Sequence, residues 1–269
     1  MAKQRLDVLL VERALCSSRA LAQRLIQAGE VRVNGVLVDK AGTEVDVSAQ
    51  IQIEERSRFV SRGGEKLAKA IEFFAIAVEG RICLDGGIST GGFTDCLLQA
   101  GAKRVYGVDV GYGQVDWRLR NDPRVILKER TNLRHLTLEK LYGDNKVADL
   151  AVVDVSFISL TKILAALWQL LLYPRELVLL VKPQFEVGKD RVGKKGVVRD
   201  PKDHANAIFQ VLQTAQELGW QYKGLTWSPI TGPAGNIEYL LWLGMESETQ
   251  PLDLESIQQI THSANATLS

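Results

Sequence analysis

Apolar positions along this chain follow two rhythms. Leu6, Leu9, Leu10 and Ala14 recur at helical spacing, and Ala20, Leu21, Leu25 and Ile26 repeat the pattern before Gly29. Val31 to Val38 then reads as two apolar runs around Asn34-Gly35, a strong hairpin signal. Beyond residue 80 the rhythm changes to short, predominantly apolar runs at 82–84, 104–108, 125–127, 148–153, 176–181, 222–227 and 237–243. Helical patterns separate most of them, including 160–172 and 201–218. Such runs suit strands buried on both faces of a parallel sheet, and their alternation with helices predicts an α/β fold. The glycine-rich return to 237–243 predicts that this last strand runs antiparallel. Four segments result: a small helix–helix–hairpin unit over 1–58, a linker over 59–63 behind a charged hinge at 54–58, a large domain over 64–245, and a polar tail over 246–269 that is frayed or a short appended helix.

Composition narrows the function. With 46% hydrophobic and 24% charged residues the chain reads as an ordinary globular protein. Its net charge of +1 does not mark a general polyanion binder, so any basic surface is local. Residues 1–40 carry 7 basic against 4 acidic side chains, and 188–202 carry 6 against 2. Arg13, Arg19, Arg24 and Arg32 in the first stretch, and Lys189, Arg191, Lys194 and Lys195 in the second, are candidate phosphate contacts. No aromatic residue occurs in 1–58, so recognition there would rest on shape and backbone. Three cysteines without a paired spacing imply reduced thiols and no metal site. The N-terminus is too charged for a secretory signal, and 163–173, interrupted by Gln169, falls short of the roughly 20 residues of a membrane span. A cytoplasmic protein without membrane contact is expected.

The candidate chemistry starts at Ile82–Thr94, ICLDGGISTGGFT. A strand ends in Asp85, a loop of Gly86, Gly87, Ser89, Gly91 and Gly92 follows, and a helix opens at Phe93. The glycines let backbone approach a ligand at the carboxyl end of a strand. Neither a dinucleotide fingerprint nor a Walker loop fits the spacing. Asp109 closes the second strand at the distance where such folds hold ribose hydroxyls. Asp154 closes the fourth, and Lys182 the fifth, where a lysine has no packing purpose. Phe157, just past Asp154, is either a core aromatic or a platform for a substrate base.

Asp-x-Gly-x-Ser-x-Gly-Gly-Phe-Thr at 85–94 resembles the S-adenosylmethionine loop of FtsJ-like ribose methyltransferases, and Ser-Arg-Gly-Gly-x-Lys-Leu at 61–67 resembles their entry motif. Helix, helix and hairpin, with Ser18-Arg19 opening the second helix, resemble the S-four RNA-binding domain. Together, residues 1–245 resemble the TlyA (haemolysin A) family of ribosomal RNA cytidine 2′-O-methyltransferases. That resemblance implies a Rossmann-like, seven-stranded class I methyltransferase domain behind an α+β S-four-type domain. It implies Lys66, Asp154, Lys182 and Glu238 as catalytic residues and S-adenosylmethionine as methyl donor. Asp85, Gly86, Gly87, Ser89, Gly91, Gly92, Phe93, Asp109, Asn132 and Asp154 would hold the donor, with Asn132 standing where the family often places an acid. Ribosomal RNA or ribosomal subunits would be the partner; oligomeric state is open. Lys182 would serve as general base or as cation for the developing alkoxide. A base needs the usual lysine value of about 10.4 lowered by burial or by a nearby cation, for which Lys66 is the candidate. Asp154 and Glu238 would orient it. The alternatives are a non-catalytic RNA-binding or ribosome-assembly factor and a membrane-active haemolysin.

Overall fold

A computed structural model describes residues 2–27, 29–53 and 58–268. The chain divides into two units, Met1–Ser57 and Arg58–Ser269. In the small unit β1 (Lys3–Arg5) runs into helix α1 (Leu6–Glu12), and α2 (Arg19–Gln27) follows. Ser18 Oγ accepts a hydrogen bond from Leu21 N at 3.2 Å and so satisfies one free donor of the first turn of α2. β2 (Val31–Val33) and β3 (Val36–Leu37) make the hairpin, with Asn34 and Gly35 at φ of 51° and 79°. Both torsions are left-handed, as a type I′ turn requires, and this is why Asn-Gly specifies it. β4 (Glu44–Asp46) pairs with β1, and β5 (Ile51–Ile53) pairs with β2. Each is only three residues long, too short to show as alternation. Leu6, Leu10, Ala22, Ile26 and Val31 form the core of this unit.

The charged hinge expected at 54–58 lies, except for Arg58, outside the described residues. Residues 59–63, expected as a linker, are instead part of the large unit. Phe59 is 3% exposed and packs in its core, and Val60 N donates to Asp95 Oδ2 at 2.8 Å. Gly64 makes the seat: a Cβ there would fall 2.2 Å from Phe59 Cγ.

Helix α3 (Gly63–Phe74) opens the large unit. Then come β6 (Ile82–Gly86), α4 (Gly92–Gln99), β7 (Arg104–Val108), α5 (Trp117–Arg120), β8 (Val125–Lys128), α6 (Leu138–Tyr142) and β9 (Leu150–Val153). α7 (Leu164–Leu170), β10 (Glu176–Val181), α8 (Pro183–Glu186), α9 (Pro201–Glu217), β11 (Gln221–Trp227), β12 (Tyr239–Gly244) and α10 (Leu254–Leu268) complete it. The seven strands order as β11-β12-β10-β9-β6-β7-β8, with β12 antiparallel to both neighbours. Leu67, Phe93 and Leu97 from α3 and α4 pack with Leu119 on one face; Leu164, Ile208, Val211 and Ile257 from α7, α9 and α10 fill the other. Three layers result, with core on both sides of the sheet, as unbroken apolar strands demand.

One expectation needs correction. The helix over 160–172 is a 3₁₀ turn, Leu160–Lys162, followed by α7, with the break at Ile163 (φ −117°). Of the two readings of the tail over 246–269, the structure has the appended helix. This is the 15-residue α10, whose Ile257, Thr261 and Ala264 are buried at helical spacing. Thr261 Oγ1 donates to Pro201 O at 2.8 Å, anchoring α10 on the start of α9.

Candidate active site

Sheet register decides what meets at the carboxyl edge. Gly86 pairs with Val108 on one side and Val153 on the other, so the glycine loop leaves β6 between Asp109 and Asp154. β6 is the point where the sheet order reverses, the usual crevice of an open α/β sheet. Val181 pairs with Tyr239, and because β12 is antiparallel this brings Glu238 to the edge where Lys182 emerges.

The loop needs its glycines. Gly87 has φ +88°, and a Cβ on it would lie 2.5 Å from Asp154 O. Gly91 has φ +100°, and a Cβ there would lie 2.3 Å from Leu119 Cδ1. The turn between them is held by Asp109, whose carboxylate accepts from Ser89 N at 2.8 Å and from Gly111 N at 2.7 Å. Asp109, Gly87, Ser89, Asn132 and Asp154 line a cavity of about 470 Å³, walled by Val110, Leu133 and Ile158. Asn132 is exposed there, and its Oδ1 accepts from Arg134 N at 3.0 Å. A second cavity of about 210 Å³ shares Gly87, Ser89 and Asp154 and is bounded by Arg62, Lys66, Gly92, Phe93 and Pro233.

Asp85 does not reach either cavity. Its side chain is fully buried, Oδ2 accepts from Thr94 Oγ1 at 2.6 Å, and Oδ1 has no hydrogen-bond partner among the described residues. The expectation that Asp85 contacts a ligand is corrected: it braces α4 under the loop. Burial pushes its carboxyl up to about 7, against the opposing hydrogen bond from Thr94. The folded state therefore holds the proton more tightly than the unfolded chain. The stabilisation is complete below about pH 4 and is lost as pH rises through about 7. Asp85→Asn, neutral at every pH, should gain on wild type by on the order of 4 kcal/mol between those limits. Urea unfolding at both pH values measures the gap; a constant gap would mean that Asp85 carries no such proton.

The four ionisable residues come together as two pairs. Lys66, 7% exposed, places Nζ 2.5 Å from Oε2 of Glu238, itself 1% exposed. Lys182, 8% exposed, places Nζ 2.5 Å from Asp154 Oδ1 and donates a hydrogen bond to Ser156 Oγ at 2.9 Å. The contact with Asp154 is thus charge against charge, and the aligned hydrogen bond goes to Ser156. Glu238 thus pairs with Lys66, and of the two carboxylates expected to orient Lys182 only Asp154 contacts it among the described residues.

Phe157 is not a core aromatic. It is 91% exposed at φ +64°, on the rim of the larger cavity, with its ring 5.2 Å from that of Phe185.

The basic candidates separate. Arg13 donates to the carbonyls of Ala49 at 2.7 Å and Val47, and Arg19 to Asp7 at 3.0 Å. Both thus have structural duties within the small unit that a count of charges does not show. Asp7 is buried, and the hydrogen bond from Arg5 above all holds its carboxyl well below the usual range. Arg32 donates to Gly35 O at 3.3 Å, and Arg24 is exposed. In the loop after α8, Arg191 pairs with Asp203, while Lys189, Lys194 and Lys195 are exposed.

Sequence reasoning passed over Asn236 and His204, which clasp that loop. Asn236 Oδ1 accepts from Val198 N at 3.0 Å, and its Nδ2 donates to Gly196 O at 2.9 Å. Burial holds His204 below its usual value, so Nε2–H donates to Val198 O at 2.9 Å while Nδ1 accepts from Tyr239 OH at 2.8 Å. One amide after a glycine turn and one histidine near the start of α9 carry no local signal for this role.

Comparison with known proteins is consistent across both units. Residues 59–245 match the FtsJ-like methyltransferase family, and residues 4–51 match the S4 domain. The 16S/23S rRNA (cytidine-2′-O)-methyltransferase TlyA of Mycobacterium tuberculosis is 48% identical over 264 residues, 97% of this chain and 97% of that one. Hemolysin A of Brachyspira hyodysenteriae is 42% identical over 236 residues, 88% of this chain and 98% of that one. A solved structure of a hemolysin candidate from Streptococcus thermophilus is 41% identical, covers 99% of this chain and 97% of its own, and superposes with a TM-score of 0.75. Among the described residues no helix is long and apolar enough to cross a membrane.

Proposed function

The chain belongs to the FtsJ-like methyltransferase family, in its S4-bearing TlyA branch, and from that premise we infer that it is an S-adenosylmethionine-dependent ribosomal RNA 2′-O-methyltransferase acting on cytidine. The observation that carries this reading is the pair of lysine–carboxylate contacts, Lys66–Glu238 and Lys182–Asp154, set at a cavity pair beside a glycine loop.

The larger cavity fits the donor. Its volume of about 470 Å³ is within the usual range for small-molecule sites. Its walls combine apolar side chains with the Asp109 carboxylate, and the seat at Gly87 admits no side chain. Asp109 would hold ribose hydroxyls and Asn132 the adenine edge, while Gly87 and Ser89 would line the path of the amino-acid portion. When bound, S-adenosylmethionine supplies a methyl group on a sulfonium, open to in-line displacement.

The residues of this chain then have three tasks. The first is alignment, from which much of the rate of such a displacement derives. Phe157 offers an exposed ring at the cavity rim on which the target base would stack, worth about 1–3 kcal/mol for an aromatic platform. The second concerns the proton of the ribose 2′-hydroxyl. Lys182, directed by Asp154 and Ser156, accepts that proton or stabilises the oxygen as it becomes anionic. The third is orientation at the smaller cavity, where Glu238 holds Lys66 in one direction. Lys189, Lys194 and Lys195 supply phosphate contacts, so RNA affinity falls as salt rises. A ribosomal substrate places this activity in the cytoplasm.

The test is transfer of tritium from labelled S-adenosylmethionine to purified ribosomal subunits. Label should enter RNA as an alkali-resistant 2′-O-methyl group. No transfer to either subunit or to free ribosomal RNA would leave an RNA-binding assembly factor.

A further inference from the structure

Lys182 to Glu186 reads Lys-Pro-Gln-Phe-Glu, and three of its side chains grip one loop, residues 154–160. Lys182 holds the loop's beginning through Asp154 and Ser156. Phe185 lies against Phe157 with ring centroids 5.2 Å apart. Glu186 holds the end: Oε1 accepts from Leu160 N at 2.8 Å and Oε2 from Ser159 Oγ at 2.6 Å. Proline at the first position of α8 sets the direction of this turn, so that all three side chains face one way.

Phe157 itself has little to hold it. It is 91% exposed, so burial does not fix its ring, and its φ of +64° is one that a bulky L-residue keeps only where its surroundings impose it. The backbone must therefore be pinned on both sides. Asp154 N donates to Gly86 O at 3.0 Å on the sheet side. On the other side Glu186 takes two hydrogen bonds from the loop's end, where Leu160 is also buried in the core.

We propose that Glu186 is a positioning residue that, through Ser159 and Leu160, holds the Phe157 turn at the cavity rim and so aims the platform for the target base. The proposal rests on the methyltransferase reading above. A carboxylate suits the task because it accepts from two donors at once. Glutamine keeps the acceptor for Leu160 N, and its amide can donate to Ser159 Oγ, which turns to Thr161 Oγ1 at 2.7 Å. Alanine removes both contacts.

The experiment is steady-state methyl transfer to ribosomal subunits by wild type, Glu186→Gln, Glu186→Ala, Phe157→Ala and the Glu186→Ala/Phe157→Ala double variant. Glu186→Ala should lose about tenfold or more in kcat/KM for RNA, since misplacement by about 1 Å can cost 10²-fold. Glu186→Gln should stay within about threefold of wild type, because it keeps the latch closed. In the Phe157→Ala background the further loss from Glu186→Ala should shrink to about threefold or less, the signature of two residues acting through one another. Ser159→Ala, which removes one contact and leaves the fold's other supports, should show a smaller loss that also disappears without Phe157. Equal losses in both backgrounds, or failure of glutamine to rescue, would make Glu186 a support of the fold alone and overturn the proposal. Wild-type activity in Glu186→Ala would overturn it too. Inactive wild type would instead remove the reading on which the proposal stands.

Discussion

Lys182→Ala is expected to lower methyl transfer to ribosomal RNA by roughly 10²–10⁴-fold, the range for losing a positioned proton acceptor or a charge at the reacting oxygen. The loss should be in the chemical step. Lys182 does not line the larger cavity, so calorimetry should find S-adenosylmethionine bound with wild-type affinity within about threefold. Truncation removes the ammonium from Asp154 and Ser156. Asp154 retains 22% side-chain exposure, and the space freed beside its buried Oδ1 opens to water, so the carboxylate left behind is solvated and the variant should fold. Lys182→Arg separates the two possible tasks, because a guanidinium keeps the charge and cannot accept the proton. Activity retained in Lys182→Arg would make the residue a stabiliser of charge, and activity lost only there and in alanine would favour the base. Wild-type transfer by Lys182→Ala would remove Lys182 from the mechanism.

Gly87→Ala should be the most damaging change to the donor site. The left-handed torsion of +88° costs any L-residue about 1–2 kcal/mol. The added Cβ also meets backbone, 2.5 Å from Asp154 O and 3.0 Å from Asp154 C, and backbone at a sheet edge yields little. Together these should destabilise the large unit by about 3 kcal/mol or more. Relief of the clash displaces Asp154, which lines both cavities and contacts Lys182. Donor affinity should therefore fall by about tenfold or more, and transfer with it. Gly113→Ala is the control: its φ is +74° and nothing lies within 4 Å of the added Cβ, so it should show only the torsional cost. Urea unfolding and calorimetry on both variants decide the matter. Equal behaviour of the two would mean that the loop moves freely away from Asp154.

Much of the large domain is legible along the chain because burial on two faces leaves a local trace. β10 and the run Glu176–Val181 coincide, and the unbroken apolar stretch of five from Leu177 to Val181 is hard to place anywhere but inside a sheet. The glycine loop is legible for a similar reason, since a residue without Cβ is the only one that tolerates both its torsions and its contacts. α10 was within reach: Ile257, Thr261, Ala264 and Leu268 share a face, yet the polar residues between them suggest a tail unless a surface for that face is known. The short strands β4 and β5 leave no comparable trace.

Local pattern thus specifies elements, the left-handed turns, the apolar faces and the residue types available at strand ends. It does not specify which side chains meet. Lys66 and Glu238 are 172 residues apart, and their contact exists because β12 inserts antiparallel between β10 and β11. The same insertion leaves Lys182 to Asp154. Asp85 ends a strand just as Asp154 does, yet one is sealed beneath α4 and the other opens onto both cavities. Phe157, four residues past the end of β9, stays in water, while Phe93, seven residues past the end of β6, goes to the core. Periodicity is a property of neighbours within a few residues, and these outcomes depend on register and on side-chain direction between distant strands. Only the packed sheet supplies both.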